Sequence, residues 1–128
     1  MQDHRPRLIL VVDDDPNMRV SLGLILEDEG YDIIGADGGA GAIELARETR
    51  FPLIFMDIRM PGANGVEAWK EIKKLNPGAV VVMMTGFSGE DLVEAALHEG
   101  AYAVIYKPFD VGEVVRIAYS VLETTLAR

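Results

Sequence analysis

Apolar residues in this chain gather into four short continuous runs, and each run stops at a residue able to do chemistry. Leu8-Ile9-Leu10-Val11-Val12 stops at Asp13-Asp14, and Leu53-Ile54-Phe55-Met56 stops at Asp57. Val80-Val81-Val82-Met83-Met84 stops at Thr85, and Ala103-Val104-Ile105-Tyr106 stops at Lys107-Pro108. Continuous rather than alternating apolar residues predict strands buried on both faces, as in a parallel sheet covered by helices. Tyr31 to Ala36 predicts a shorter additional strand, second in chain order.

Between the strands the apolar spacing changes to that of amphipathic helices. Asp15-Pro16 reads as an N-cap with proline at the first helical position. Met18, Leu22, Ile25, Leu26 and Glu29 follow at helical spacing, and Gly30 closes the helix. Gly38, Gly39 and Gly41 lead into a second helix ending near Arg50. Behind the third strand, Pro61-Gly62 marks a loop, and Val66, Ala68, Trp69, Ile72 and Leu75 predict a helix from about Gly65 to Leu75. Asn76-Pro77-Gly78 is a turn. A fourth helix is expected from about Glu90 to Glu99, capped by Ser88 and stopped by Gly100. A fifth carries Val111, Val114, Val115, Ala118 and Leu122 on one stripe. Strands and helices in strict alternation predict an α/β fold with a five-stranded parallel sheet flanked by five helices. No repeat, low-complexity tract or linker interrupts the pattern, so a single domain over residues 1–128 is expected.

Parallel strands of one sheet end on the same edge. Here that edge gathers Asp13, Asp14, Asp57, Thr85 and Lys107, and open α/β sheets bind ligands outside the carboxyl ends of their strands. Adjacent carboxylates repel unless a positive charge relieves them. Alone, Asp13-Asp14 reads equally as solvated residues beside a helix cap; Asp57, at the end of a neighbouring strand, makes an all-oxygen site suited to Mg²⁺ or Mn²⁺ rather than zinc. A lysine and a hydroxyl beside such a site complete a charge-neutralising clamp for a phosphoryl group. Carboxylates can be nucleophiles, and Asp57 is the candidate, with Asp13 and Asp14 as metal holders.

Composition narrows the alternatives. The chain has 128 residues, 49% of them hydrophobic and 26% charged, which suits a globular domain with a proper core. No apolar run approaches the ~20 residues of a membrane helix, and Met1 to Arg7 lacks the apolar stretch of a secretory signal. A cytoplasmic location and no membrane association are expected. The chain contains 0 cysteines, which excludes disulfides, thiolate metal sites and a thiol nucleophile. A formal net charge of −9 argues against direct nucleic-acid binding. There is no GxxxxGK[ST] nucleotide loop and no Ser-His-Asp arrangement; His4 and His98 read as surface residues. Two further classes are weighed. One is a Mg²⁺-dependent phosphatase of the haloacid-dehalogenase type, suggested by Asp13-x-Asp15 after a strand. The other is a degenerate interaction module, which a missing acidic, lysine or hydroxyl position would favour.

In order and spacing, Val11-Val12-Asp13-Asp14, Met56-Asp57-Ile58-Arg59-Met60-Pro61, Thr85-Gly86 and Tyr106-Lys107-Pro108-Phe109 resemble the response-regulator receiver domain, the phosphoacceptor of two-component signalling. The stretches Met56 to Gly62, Gly100-Ala101-Tyr102 and Lys107 to Asp110 are reminiscent of receivers attached to transcriptional activators of the nitrogen-regulatory type. The resemblance implies a flavodoxin-like sheet with strand order 2-1-3-4-5. It implies phosphoryl transfer to Asp57 from a sensor histidine kinase or phosphotransfer protein, a signalling role rather than enzymatic turnover. It further implies Mg²⁺ held by Asp14, Asp57 and the backbone carbonyl of Arg59, and through water by Asp13. Thr85 and Lys107 would contact the phosphoryl oxygens, and the Lys107–Pro108 bond would be cis. The fourth helix, fifth strand and fifth helix would form the surface that switches, reaches an output domain or effector, and supports a homodimer. Three positions depart from the family pattern. Val104 stands where a Tyr or Phe ring usually turns inward, Asn64 stands where Asp is frequent, and Gly86 stands where Ala is frequent.

Overall fold

The computed structural model describes residues 7–86 and 91–123. Five strands are present: β1 (Leu8–Val12), β2 (Asp32–Ala36), β3 (Leu53–Asp57), β4 (Val80–Thr85) and β5 (Ala103–Tyr106). They alternate with α1 (Pro16–Asp28), α2 (Gly39–Glu48), α3 (Gly65–Leu75), α4 (Leu92–His98) and α5 (Val111–Leu122). The sheet is parallel throughout, in the order β2-β1-β3-β4-β5. No helix among the described residues is long and apolar enough to cross a membrane.

Alternate strand residues serve two cores. Ile9, Val11, Leu53, Phe55, Val82, Met84 and Ile105 pack with Leu22 and Leu26 of α1 and with Val114, Ala118 and Leu122 of α5. Leu10, Val12, Ile54, Met56, Val81 and Met83 pack on the other face with Ala42 and Ala46 of α2, Val66, Trp69 and Ile72 of α3, and Ala96 of α4. The continuous apolar runs are therefore two interleaved period-two stripes, each stripe feeding its own layer.

Local chemistry sets the helix ends. Asp15 caps α1 by accepting from the Asn17 N–H at 2.9 Å. Asn64 caps α3 in a reciprocal box: its side chain accepts from the Glu67 N–H, and Glu67 accepts from the Asn64 N–H, both at 2.9 Å. Gly30 and Gly100 follow α1 and α4 at φ 92° and 93°, the left-handed conformation that ends helices. Beyond α4, Glu99 is tied to α3. Its carbonyl accepts from the Trp69 indole at 2.8 Å and from Lys73 Nζ at 3.0 Å, and Lys73 also reaches its carboxylate at 2.9 Å. The bond to Lys73 holds the Glu99 carboxyl below the usual glutamate range.

Several sequence expectations shift. β2 begins at Asp32 rather than Tyr31, α2 ends at Glu48 rather than near Arg50, and β5 ends at Tyr106, one residue before Lys107. α4 starts at Leu92; Ser88 and Glu90, expected at its beginning, lie outside the described residues, as does His4. Burial on both faces fails for the last run. β5 is one of the sheet's two edge strands, with Ala103 and Val104 half-buried and Tyr106 exposed. On α5 the expected Val114, Ala118 and Leu122 are buried, but two other members of the stripe are not. Val111 is 53% exposed and Val115 is outside the core cluster, while Ile117 and Val121 pack against it.

Candidate functional site

Order 2-1-3-4-5 makes the crevice at the carboxyl ends of β1 and β3 the point where successive crossovers diverge, and ligands of such sheets bind there. Register delivers two aspartates to it. Val12 pairs with Met56 in the β1–β3 ladder, and the next residues on the two strands are Asp13 and Asp57. With Asp14 they form one cluster whose ligand-type oxygens lie within 4.8 Å of one another. Asp13 and Asp57 are buried and Asp14 is exposed.

Lys107 closes the cluster from the β5 side. Its N–H donates to the Thr85 carbonyl at 2.9 Å, so the ends of β4 and β5 are joined next to the carboxylates. The Lys107–Pro108 bond is cis, as the resemblance implied. Lys107 Nζ lies 2.8 Å from Asp13 Oδ2 and 3.4 Å from Asp57 Oδ1, so its closer partner is Asp13. Asp13 is further fixed by the Asp15 N–H, which donates to Oδ1 at 3.0 Å. Thr85 is buried at the same edge, and Arg59 is exposed two residues beyond Asp57.

Charge crowding marks Asp57. Burial, then the nearby Asp13 carboxylate, push its carboxyl up to about 6, against the opposing pull of Lys107. Burial disfavours the Lys107 ammonium, but its bond to Asp13 and the charge of Asp57 outweigh this and hold its pKa above the ordinary value. Three ionised carboxylates facing one ammonium leave two formal negative charges, the complement of one divalent cation. The all-oxygen donor set fits Mg²⁺ or Mn²⁺. Asp15 is outside the three-carboxylate cluster, and its side chain caps α1.

Two positioning residues escaped the sequence reading. Gly65 opens α3 directly against the end of β3: a β-carbon there would sit 2.4 Å from the Asp57 carbonyl oxygen, and its N–H donates to the Ile58 carbonyl at 2.8 Å. No apolar or charge pattern signals such an approach. Arg19 Nη1 donates to the Asp13 carbonyl at 2.7 Å. Its signal was a lone cation one turn into α1, between Met18 and Leu22 of the apolar stripe.

Comparison with known proteins agrees with this geometry. The profile of the response regulator receiver domain matches residues 9–119, and the chain belongs to that family, the receiver domain of two-component response regulators. The chain is 39% identical over 113 residues to the transcriptional regulatory protein PdtaR of Mycobacterium tuberculosis, covering 86% of this chain and 54% of that protein. It is 42% identical over 102 residues to the transcriptional regulatory protein ZraR of Klebsiella oxytoca, covering 80% of this chain and 23% of that protein. The chain thus spans about half the length, or less, of these curated relatives. Among solved structures, a CheY-like receiver domain protein from Methanospirillum hungatei superimposes with a TM-score of 0.88 at 30% identity, covering 95% of this chain and 98% of that one. The beryllofluoride-activated NtrC4 receiver domain dimer gives 0.85 at 35% identity, covering 92% and 98%. Receiver domains are signalling domains, and homologues of this one are named transcriptional regulatory proteins.

Proposed function

We propose that residues 1–128 form one receiver domain that takes a phosphoryl group on Asp57 from a phosphohistidine of a sensor histidine kinase or phosphotransfer protein. A carboxylate oxygen of Asp57 bonds to phosphorus while the bond to the donor imidazole breaks, leaving an acyl phosphate. The observation that carries this reading is the placement of the Asp57 carboxylate in the three-carboxylate cluster, 3.4 Å from Lys107 Nζ. Asp14, Asp57 and the Arg59 backbone carbonyl would hold Mg²⁺, with Asp13 bound to it through water. Mg²⁺ supplies charge neutralisation for the phosphoryl oxygens. Lys107 offers a second positive charge to the same oxygens, and the Thr85 hydroxyl donates to one of them. The acyl phosphate is the signal itself, so the chain acts as a switch rather than a turnover enzyme.

The readout surface is α4, β5 and α5. Leu97, Tyr102, Tyr106 and Tyr119 are exposed there, an apolar and aromatic set suited to a protein partner. An output domain or effector, or a second copy, would use this face; the beryllofluoride-activated NtrC4 receiver domain is itself a dimer. The net charge of −9 argues against nucleic acid as its direct partner, and the proposed location is the cytoplasm.

The test is intact-mass measurement after incubation with acetyl phosphate and Mg²⁺. The expected result is one hydroxylamine-labile phosphate per chain, lost in Asp57→Asn. Equal uptake by Asp57→Asn means that another residue is the nucleophile, and continuous phosphate release by the native chain means a phosphatase.

A further inference from the structure

We propose that Arg19 is a positioning residue of the acidic site, fixing the backbone that carries Asp14 and thereby setting the affinity for a divalent cation. This rests on the receiver reading above. Asp13 is held at four points. Its N–H donates to the Ala36 carbonyl at 3.1 Å, Oδ1 accepts from Asp15, Oδ2 accepts from Lys107, and its carbonyl accepts from Arg19 at 2.7 Å. Asp14 follows directly and is the exposed member of the cluster. The bond from Arg19 fixes the plane of the Asp13–Asp14 peptide, beyond the last β1 ladder pairs at Val12. That plane sets the direction in which the Asp14 side chain leaves the backbone.

Arg19 is suited to the task. Its stem packs across Gly35 of β2, with Cδ 3.5 Å from where a β-carbon on Gly35 would sit. The half-buried stem gives the guanidinium a fixed base, and a charged donor makes the stronger kind of hydrogen bond. Outer partners that orient metal-binding groups typically account for about 10–100-fold in metal affinity.

Bare electrostatics makes the opposite prediction. Removing the positive charge at the Asp13 carbonyl makes the local potential more negative and should tighten Mg²⁺ binding. Removing a positioning contact should weaken it. Arg19→Met separates the two, because it keeps the apolar stem and loses the donor. Mg²⁺ is titrated into isotope-labelled protein while the Asp14 and Asp57 amide shifts are followed, and acetyl-phosphate uptake is read by intact mass across the same Mg²⁺ range. Arg19→Met is expected to raise the half-saturating Mg²⁺ about tenfold, with phosphorylation restored at saturating Mg²⁺. Arg19→Lys, which keeps the charge but not the planar fork, should fall between it and the native chain. Unchanged or tighter Mg²⁺ binding in folded Arg19→Met overturns the proposal while native phosphorylation leaves the receiver reading standing. A native chain that takes up no phosphate overturns both. If thermal melting shows Arg19→Met unfolded, Arg19→Lys decides: weaker Mg²⁺ binding supports the proposal, and native-like binding overturns it.

Discussion

The two ends of the site are built differently. On the β1–β3 side, every residue of β3 is buried, and Asp13 has both backbone groups and both carboxylate oxygens engaged. On the β4–β5 side, the sheet ends in a four-residue edge strand with a single fully buried residue, Ile105, and the adjoining α4 has seven residues against thirteen in α1. Accepting a phosphoryl group requires oxygens and an ammonium fixed within tenths of an ångström. Signalling requires an element that moves at small cost, and low burial supplies it. The difference is the one that the proposed division, chemistry at the centre of the sheet and readout at its edge, would need.

The sharpest way to break this division is at the exposed carboxylate. Asp14→Ala should abolish the Mg²⁺-dependent shifts of the Asp57 amide and leave the fold intact, since Asp14 is exposed. Native-like Mg²⁺ affinity would remove Asp14 from the cation site. Thr85→Ala comes next. It should still accept phosphate, but amide-exchange changes over 91–110 on adding beryllofluoride and Mg²⁺ should disappear. If they persist, the link from acceptor to edge does not run through the hydroxyl.

A smaller effect is thermodynamic. Folded Asp57 titrates near 6 and an unfolded aspartate near 4, so the folded state holds the extra proton between those values. Stability without Mg²⁺ therefore falls as pH rises from about 4 to about 6, and the deficit persists above. Asp57→Asn removes the penalty and should stabilise the Mg²⁺-free chain at pH 7.5 by roughly 1–2 kcal/mol, with little gain at pH 4. Urea melts at the two pH values measure it, and an equal gain at both would remove titration as the cause. Smallest is Val104→Ala, which should cost about 1 kcal/mol of stability and leave the beryllofluoride response in place. Val104 is half-buried against the α2–α4 core, a packing position on the edge strand. Loss of the response would make it part of the switch.

Much of this was legible along the chain because parallel strands advertise themselves. The runs ending at Asp13, Asp57 and Thr85 are buried as their continuity predicts, and Asp15, Gly30 and Gly100 mark helix ends by their own chemistry. Periodicity is silent about lateral order, so it could not reveal that Ala103–Tyr106 lies at the sheet's edge with its aromatic end in solvent. On α5 the stripe's Val114, Ala118 and Leu122 are buried as expected, but Val111, placed on the same stripe, is exposed. Gly65 acts through a missing β-carbon, which leaves no trace in patterns of apolar and charged residues, and Arg19 shows only as a lone cation in the α1 stripe, which does not say that it reaches a carbonyl.

The tie between Glu99 and α3 has a mechanical consequence. Trp69 and Lys73 anchor the chain just beyond the last turn of α4, so that helix has a pivot at one end. A rod pinned at one end can swing but cannot slide. Seven residues of helix span about 10 Å, so a tilt of about 15° would carry the far end through roughly 2–3 Å while Glu99 stays in place. Trp69, the chain's 1 tryptophan, sits at the fulcrum, where its fluorescence reads the integrity of the pivot rather than the travel of the lever.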